Sequence, residues 1–241
     1  MKTRTMFIAM AMVCLILTSC DYDHIKASGE ITTKDLTISD YDQLKVSNAF
    51  DVYVTFSDEE EQIKIEANDN LHERIVVTRE GDELIIKLKK YTTVAGNPTL
   101  KAFVTAKNIS EFDLSGAASV TLENPWDIAR AKIELSGASD ITGEIIADYL
   151  DVDMGGASEA DVYGQVKSLH ADLSGSSDLR DYDLEVERLD IDLSGASEAF
   201  LTATESINVE ATGASTLNYK GTAVINHERI KGASQLKNRN K

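Results

Sequence analysis

Apolar and polar residues alternate along much of the second half of the chain. In residues 150–154, 169–173 and 189–193 every second residue is apolar, and the residues between are Asp or His. Successive side chains of a β-strand point to opposite faces, so a period of two predicts a strand with one buried face and one solvated face. The same stretches lack the period of a helix. The pattern therefore predicts an all-β protein.

These strands belong to a repeat. A block resembling Leu-Ser-Gly-Ala-Ser occurs seven times, with its glycines 18 to 21 residues apart. The glycines are Gly116, Gly137, Gly156, Gly175, Gly195, Gly213 and Gly232. Glycine after a strand permits a turn that a side chain would obstruct. A period near 19 residues predicts a β-solenoid, a single-stranded β-helix in which each repeat forms one coil, and we expect it to be right-handed.

Stacking of the coils would align equivalent residues in columns. At roughly 4.8 Å per coil, seven coils would form a rod on the order of 34 Å long. Two inner columns are predicted, one of Leu150, Leu169, Leu189 and Ile207 and one of Val152, Ala171, Ile191 and Val209.

The part before these repeats carries a weaker form of the same pattern. Residues 28–110 are predicted to form irregular N-terminal β coils, residues 111–236 the regular repeats, and residues 237–241 a basic tail. Residues 47–52 resemble 136–141, with Asn48 at the glycine position, where a left-handed backbone is tolerated. The turn at residues 80–83 predicts a hairpin. A separate small sandwich is the alternative for this region.

The first residues resemble a bacterial export signal. Lys2 and Arg4 precede an apolar run of about 12 residues, which is shorter than the roughly 20 that span a bilayer. Residues 17–20, Leu-Thr-Ser-Cys, resemble the lipobox of bacterial lipoproteins. We therefore expect a signal peptide at 1–19, lipidation of Cys20 and a polar tether at 20–27. Cys14 would leave with the signal, so the mature chain could form no internal disulfide.

Composition narrows the partners. The formal charge of the chain is −17, and loss of Lys2 and Arg4 would make it two units more negative. Such a chain repels phosphate backbones, so no nucleic-acid partner is expected. It also repels anionic lipid, so membrane attachment would depend on the N-terminal lipid. Acidic residues just after Cys20 resemble surface-export signals of Bacteroidetes lipoproteins, and an outer-membrane location, periplasmic or surface-exposed, follows.

Taken together, these motifs resemble a known family. Residues 50–54 (Phe-Asp-Val-Tyr-Val), residues 81–86 (Gly-Asp-Glu-Leu-Ile-Ile) and the recurrent Leu-Ser-Gly-Ala-Ser blocks are similar to bacterial head GIN domain proteins, a family labelled as auto-transporter adhesins. The resemblance covers essentially the whole mature chain. It implies a β-helical fold in an envelope lipoprotein, with adhesion as the family's label and no catalytic residues to transfer.

An acidic column is predicted on the outer surface. It comprises Asp113, Glu134, Asp153, Asp172, Asp192 and Glu210. Neighbouring charges about 4.8 Å apart repel by roughly 0.9 kcal/mol even in water. Ca²⁺ would offset that repulsion, with Asp153, Asp172 and Asp192 as candidate ligands. The spacing matches neither the calcium β-roll nonapeptide nor an EF-hand, and a solvated face that resists aggregation is the alternative.

A second predicted column consists of serines. It comprises Ser119, Ser139, Ser158, Ser177, Ser197, Ser215 and Ser234. Catalysis would need a base beside one hydroxyl, but the repeats contain only His170 and His227, and neither follows a nucleophile motif. We therefore predict a hydrogen-bonded turn ladder and no enzyme activity.

Aromatic residues supply the candidate ligand-binding positions. Tyr163 and Tyr182 each lie seven residues after a glycine and are expected to stack in adjacent coils, where they could carry a glycan ring or pack together. Trp126 lies in the longest repeat, as a contact residue or as a cover for the core. The basic residues of the last coil are read as a cap. The sequence favours a non-enzymatic binding or adhesion module for an unknown protein or glycan, with an envelope scaffold or a polysaccharide-active β-helix enzyme as alternatives.

Overall fold

A computed structural model describes residues 23–240 of the chain. The predicted signal peptide, Cys20 and the first residues of the tether lie outside the described residues, as does Lys241. Within the described part, no helix is long and apolar enough to cross a membrane. The chain is a β-solenoid of about seven turns, which confirms the predicted fold class.

Twenty strands and one short 3-10 helix form this described part. They are β1 (Asp23–Lys26), β2 (Ile31–Leu36), β3 (Gln43–Val46), β4 (Asp51–Phe56), β5 (Gln62–Asn68), η1 (Asp69–Arg74), β6 (Ile75–Glu80), β7 (Glu83–Leu88), β8 (Thr92–Ala95), β9 (Leu100–Ala106), β10 (Glu111–Leu114), β11 (Ser119–Leu122), β12 (Trp126–Leu135), β13 (Asp140–Met154), β14 (Glu159–Leu173), β15 (Asp178–Arg180), β16 (Leu184–Leu193), β17 (Glu198–Ala211), β18 (Thr216–Lys220), β19 (Val224–Ile230) and β20 (Gln235–Asn238).

Each regular turn presents a first, a second and a third face. The first face carries the strand segment before a repeat glycine, such as residues 150–154. The second face carries the segment after it, such as residues 159–162, and the third face closes the turn, as at residues 164–167. β13 and β14 are each 15 residues long because they run from the second face through the third into the first face of the next turn.

The two predicted inner columns are confirmed by the strand register. Leu150 is aligned with Leu169, Leu169 with Leu189, and Leu189 with Ile207, and each is at most 2% exposed. Val152, Ala171, Ile191 and Val209 are aligned in the same way. The parallel pairing is in register because each turn offers the next the same alternation of buried and exposed side chains.

The N-terminal region joins the same stack, but not in chain order. On the first face β7 pairs with β3 and β3 with β10, all parallel. On the second face β9 pairs with β4 and β4 with β11. The turn made by residues 83–106 therefore lies outside the turn made by residues 43–56. One 18-stranded sheet and one hydrophobic core connect this region to the repeats.

Antiparallel strands cover the N-terminal end of the stack. β6 pairs with β7 through the predicted hairpin, in which Glu80 is opposite Glu83. β5 pairs antiparallel with β9, and β2 pairs antiparallel with β5. Close to this end, β1 forms a small parallel sheet with β8.

The repeat glycines are required by close contact between turns. Gly137 has a φ of +80°, and a Cβ built on it would lie 2.6 Å from the carbonyl oxygen of Gly116. That same oxygen accepts a hydrogen bond of 2.7 Å from the N–H of Ala138. Asn48 has a φ of +74°, as the sequence predicted, and its Oδ1 accepts a hydrogen bond of 2.9 Å from the Leu88 N–H. Asparagine therefore ends the glycine column where the neighbouring turn changes shape.

The serine column lies inside the turn and forms the predicted hydrogen-bonded ladder. The hydroxyl of Ser177 lies 3.0 Å from the carbonyl oxygen of Ser174 and 3.5 Å from that of Met154 in the preceding turn. Ser139, Ser197 and Ser215 repeat this arrangement.

The assignment of Ser119 to the predicted serine column is wrong. Ser119 lies one position further along, where it is aligned with Asp140 and donates a 2.8 Å hydrogen bond to that carboxylate. The position in the column belongs to Ala118, which is fully buried. The shift arises because this repeat reads Ala-Ala-Ser where the others read Ala-Ser or Ser-Ser followed by an acidic or polar residue.

Candidate functional site

The predicted acidic column exists as an aligned ladder on the first face, which we call the acidic ladder. Register pairs join its members from Asp113 to Glu210 without a gap. Basic residues close both ends. Lys45 is aligned with Asp113 and forms an ion pair with it, and Arg229 is aligned with Glu210 and lies 3.0 Å from its carboxylate.

Charge repulsion is concentrated in the middle of the acidic ladder. Partial burial, followed by the negative charge of Asp172, raises the pKa of Asp153 above its usual value. The same two causes, in the same order, raise the pKa of Asp192. Near the N-terminal end Lys132 forms ion pairs with Glu111 and Glu134, and its hydrogen bonds to these two acids raise the pKa of the lysine.

The calcium candidates share a shallow surface depression. Asp153, Asp172 and Asp192 line it together with Glu210, and its volume is about 260 Å³. Their aligned carboxylates project outward from parallel strands. Across residues 23–240 no group of three or more His, Cys, Asp or Glu side chains is arranged to hold a metal ion.

Trp126 is a core residue, so of the two roles that the sequence left open the structure places it in the cover of the core. It is 1% exposed, and its indole N–H donates a hydrogen bond of 2.6 Å to the carbonyl oxygen of Ile109. Its ring packs edge-on against Phe112, with centroids 4.8 Å apart, and parallel to Phe56, with centroids 6.5 Å apart. The residue covers the core where the N-terminal region meets the repeats.

The two candidate tyrosines differ in their surroundings. Tyr163 is aligned with Glu144 and is 43% exposed. Tyr182 lies in a bulge between β15 and β16, packs edge-on against Phe200 at 5.7 Å, and has the Lys220 ammonium 4.1 Å from its ring centroid. Equal distances from the repeat glycine therefore do not determine the ring contacts, because residues 181–183 lengthen this turn.

Several groups that can bind a ligand lie together beside the acidic ladder. An open groove of about 420 Å³ runs across four successive turns of the first face, on β13, β14, β16 and β17, and we call it the Tyr149 groove. Its polar and aromatic lining consists of Tyr149, Ser168, His170, Arg188, Asp190, Ser206 and Asn208. Small serines alternate with large side chains here: Tyr149 is aligned with Ser168, and Ser168 with Arg188. This alternation leaves room between the large groups.

The large side chains of the Tyr149 groove are held by neighbours. The guanidinium of Arg130 lies 5.5 Å from the centre of the Tyr149 ring, a cation–π distance. The Nε of Arg188 donates a 3.1 Å hydrogen bond to Ser168, and its Nη1 lies 3.1 Å from Glu205. His170 lies 3.7 Å from both Asp172 and Asp190.

Sequence reasoning missed this groove, although a signal was available. His170, Asp190 and Asn208 are consecutive members of one outward column, and Tyr149, Ser168 and Arg188 are consecutive members of the next. Writing out every outward column, rather than the acidic one alone, would have brought these residues together.

A second groove, of about 510 Å³, follows the third face. Its floor contains Ile128, Ala147 and Val166, which occupy equivalent positions in successive turns. Glu185 and Glu187 lie at its side. Gln165 and Lys167 supply donors among its carboxylates and aliphatic groups, but its lining contains no aromatic ring, in contrast to the Tyr149 groove.

Parallel coils in register, with grooves formed by aligned outward columns, define a β-solenoid protein. The chain belongs to the family described as "Putative auto-transporter adhesin, head GIN domain", whose model matches residues 40–223. This confirms the resemblance found in the sequence. A comparison with curated proteins finds no match.

Solved structures with the same fold come from Bacteroides and Parabacteroides. A "putative adhesin" from Bacteroides fragilis superposes with a TM-score of 0.84 at 21% identity, over 89% of this chain and 99% of that one. A "putative adhesin" from Parabacteroides merdae gives 0.67 at 17% identity, over 90% and 100%. A "Putative lipid binding protein" from Parabacteroides distasonis gives 0.68 at 20% identity, over 90% and 100%. At these identities the likeness establishes the shared fold.

Proposed function

We propose that this protein is a non-enzymatic, lipid-anchored binding module of the bacterial outer membrane that holds a glycan in the Tyr149 groove. The observation that carries the proposal is the convergence of an aromatic ring, a guanidinium, an imidazole, a carboxylate and a carboxamide from successive turns. Family membership and the shared fold of adhesin-named proteins support a binding role.

The groove has the chemistry that sugar recognition needs. A tyrosine ring offers an apolar surface with a polar edge, against which the C–H face of a sugar can pack. Arg188 supplies N–H donors, Asp190 supplies acceptors, and Asn208 supplies both, so they can match the mixed hydroxyl groups of a glycan. Ligand sites typically combine such an apolar surface with a few polar groups that fix orientation.

A binding role also suits the chemistry of the repeats. The hydroxyls of Ser139, Ser177 and Ser197 lie within the turns and donate to backbone carbonyls. His170 contacts two carboxylates of its own surface instead of a hydroxyl nucleophile. Serine nucleophiles need a base within hydrogen-bond reach, so the arrangement favours recognition over hydrolysis.

Lipid attachment would fix the orientation of the rod. β1 begins three residues after Cys20 and pairs with β8 in the N-terminal turn, so an acyl group on Cys20 would lie within about 10 Å of that end in an extended tether. The C-terminal turn would then face away from the membrane, and the Tyr149 groove would lie along the side of the rod.

A glycan array tests the binding half of the proposal. The purified protein is expected to retain a restricted set of glycans, and Tyr149→Ala should reduce retention at least tenfold because the packing surface is lost. Tyr163→Ala is the matched control, since it removes an exposed tyrosine outside the groove and should leave retention unchanged. Failure to retain any glycan, combined with a co-purifying envelope protein, would favour the scaffold alternative instead.

Anchoring is tested separately in cells. Radiolabelled palmitate should be incorporated into the wild-type protein and not into Cys20→Ala. Protease treatment of intact cells should digest the folded rod if it faces outward and spare it if it faces the periplasm. Absence of the label from the wild-type protein would overturn the lipid anchor, and full protection would overturn an adhesin role.

A further inference from the structure

The two ends of the solenoid differ in whether their edge strands are covered. At the N-terminal end β6 covers β7, and β5 and β2 cover β9. At the C-terminal end β19 pairs with β17 and β20 with β18, and among the described residues no strand lies on their other side. An uncovered edge presents unpaired backbone N–H and C=O groups that can pair with another strand.

The edge of β19 is unusually accessible. Its first six residues are exposed, and Val224 is 64% exposed. The two basic side chains of β19, those of His227 and Arg229, fold back onto the preceding turn and leave the edge uncovered. His227 lies 3.4 Å and Arg229 lies 3.0 Å from the carboxylate of Glu210.

The register of β19 gives its edge a specific pattern. Ile225 is aligned with Ile207 and Ile230 with Ala211, so both occupy inward positions. Glu228 is aligned with the buried Val209, which places a carboxylate at an inward position of the last turn. An inward charge at an edge prevents pairing with an ordinary apolar strand.

We infer that this edge binds an extended segment of another polypeptide by strand addition, and that Glu228 selects the segment. The added strand would place apolar side chains next to Ile225 and Ile230 and a Lys or Arg next to Glu228. Acidic side chains would fit outward, next to His227 and Arg229. Backbone pairing provides affinity in this mode of recognition, and alternate side chains provide specificity.

A second copy of the chain is a less suitable occupant. Stacking of a copy on this edge would place the N-terminal end of that copy on the rod, on the order of 34 Å from the surface at which the first copy is anchored. Short tethers on Cys20 would not reach back. This argument rests on the proposed lipid anchor, whereas the edge and its pattern do not.

The probe is a synthetic decapeptide with valine, lysine and glutamate at the positions that face Ile230, Glu228 and Arg229. Fluorescence anisotropy should show saturable binding to the purified protein, and amide hydrogen exchange in β19 should slow. The same peptide with N-methyl groups on its pairing amides keeps its side chains and should not bind. Glu228→Lys should weaken binding about tenfold and should favour a peptide with glutamate in place of the lysine.

The outcomes separate this inference from the proposed function. Tyr149→Ala should leave peptide binding intact, and Glu228→Lys should leave glycan retention intact. Equal binding of the N-methylated peptide, or no change of preference in Glu228→Lys, would overturn strand addition. A rise in the apparent mass of the protein with its own concentration that Glu228→Lys abolishes would instead identify a second copy as the occupant. This result would overturn binding of another polypeptide at this edge.

Discussion

The N-terminal region and the repeats bury the same kind of core by different means. The repeats stack parallel strands in register, so backbone lies directly on equivalent backbone from Gly116 to Gly232. The N-terminal region uses a hairpin and antiparallel strands, and two of its own turns meet through a side chain, where Asn48 accepts a hydrogen bond from the Leu88 N–H. Each repeat glycine from Gly137 to Gly232 is required because the backbone of an equivalent glycine turn lies against it, whereas Asn48 can occupy the same position at the end of the column.

Paired glycine substitutions should give the largest effect. Gly195→Ala combines a left-handed φ of +72° with a Cβ only 2.5 Å from the carbonyl oxygen of Gly175, whereas Gly81→Ala has a φ of +66° and open space around the Cβ. We expect Gly195→Ala to lower the free energy of unfolding by about 3–5 kcal/mol and Gly81→Ala by about 1 kcal/mol. Urea unfolding measures both. Equal losses would show that backbone strain alone explains the glycine column.

Replacing either of two serines by alanine should change the stability less than the glycine substitutions, and the two changes should have opposite signs. The hydroxyl of Ser177 has two carbonyl oxygens within reach, while the buried hydroxyl of Ser158 has no hydrogen-bond partner in the described structure. Ser177→Ala should cost about 1 kcal/mol, and Ser158→Ala should stabilise by a similar amount because it removes an unsatisfied polar group. Thermal unfolding of the two variants measures both effects. A lower melting temperature in both would mean that the Ser158 hydroxyl has a hydrogen-bond partner in solution.

Neutralising the acidic ladder should give the smallest effect. Asp172→Asn removes repulsion with Asp153 and Asp192 and should stabilise the fold by about 0.5–1 kcal/mol at low salt, less at high salt. Asp113→Asn should instead destabilise it slightly, because Asp113 pairs with Lys45 of the N-terminal region. Stabilisation by both variants would contradict this difference between the two regions.

The same carboxylates predict a pH dependence. The pKa values of Asp153 and Asp192 are raised in the folded state, so protonation of these two carboxyls stabilises the fold. This stabilisation is complete below the ordinary pKa of aspartate and is lost as the pH rises through the raised values. The stability advantage of Asp172→Asn over the wild type should therefore shrink as pH falls from 7 towards 4.

Millimolar Ca²⁺ should raise the melting temperature of the wild type no more than NaCl of equal ionic strength; a larger rise would indicate a cation site.

Periodicity alone predicted most of the fold. Alternation and the glycine spacing determine which side chains face inward, because a strand has a period of two and each turn copies the previous one. The chain order of the N-terminal turns could not be predicted, since Val46 pairs with both Leu114 and Ile86 and no local pattern distinguishes these partners. The role of Trp126 was left open because its depth depends on Phe56 and Phe112, which come from other strands.

The candidate site was predicted less well for a related reason. The acidic ladder depends on register and was found, whereas Tyr182 depends on a bulge one residue longer than its neighbour and was misplaced. The Tyr149 groove depends on alternating side-chain size across turns, which a search along single repeats does not detect.

The placement of residues 43–56 between two later turns has a kinetic consequence. Ser47 meets Ser115 across 68 residues, whereas contacts between regular turns close loops of about 19 to 21 residues. The longer closure costs about 1 kcal/mol more in chain entropy. A chain that crosses a membrane N-terminus first can complete this closure before most of the repeats emerge. Each later repeat would then add to a finished surface, so growth would proceed in one direction and unpaired strand would be exposed only at the growing end.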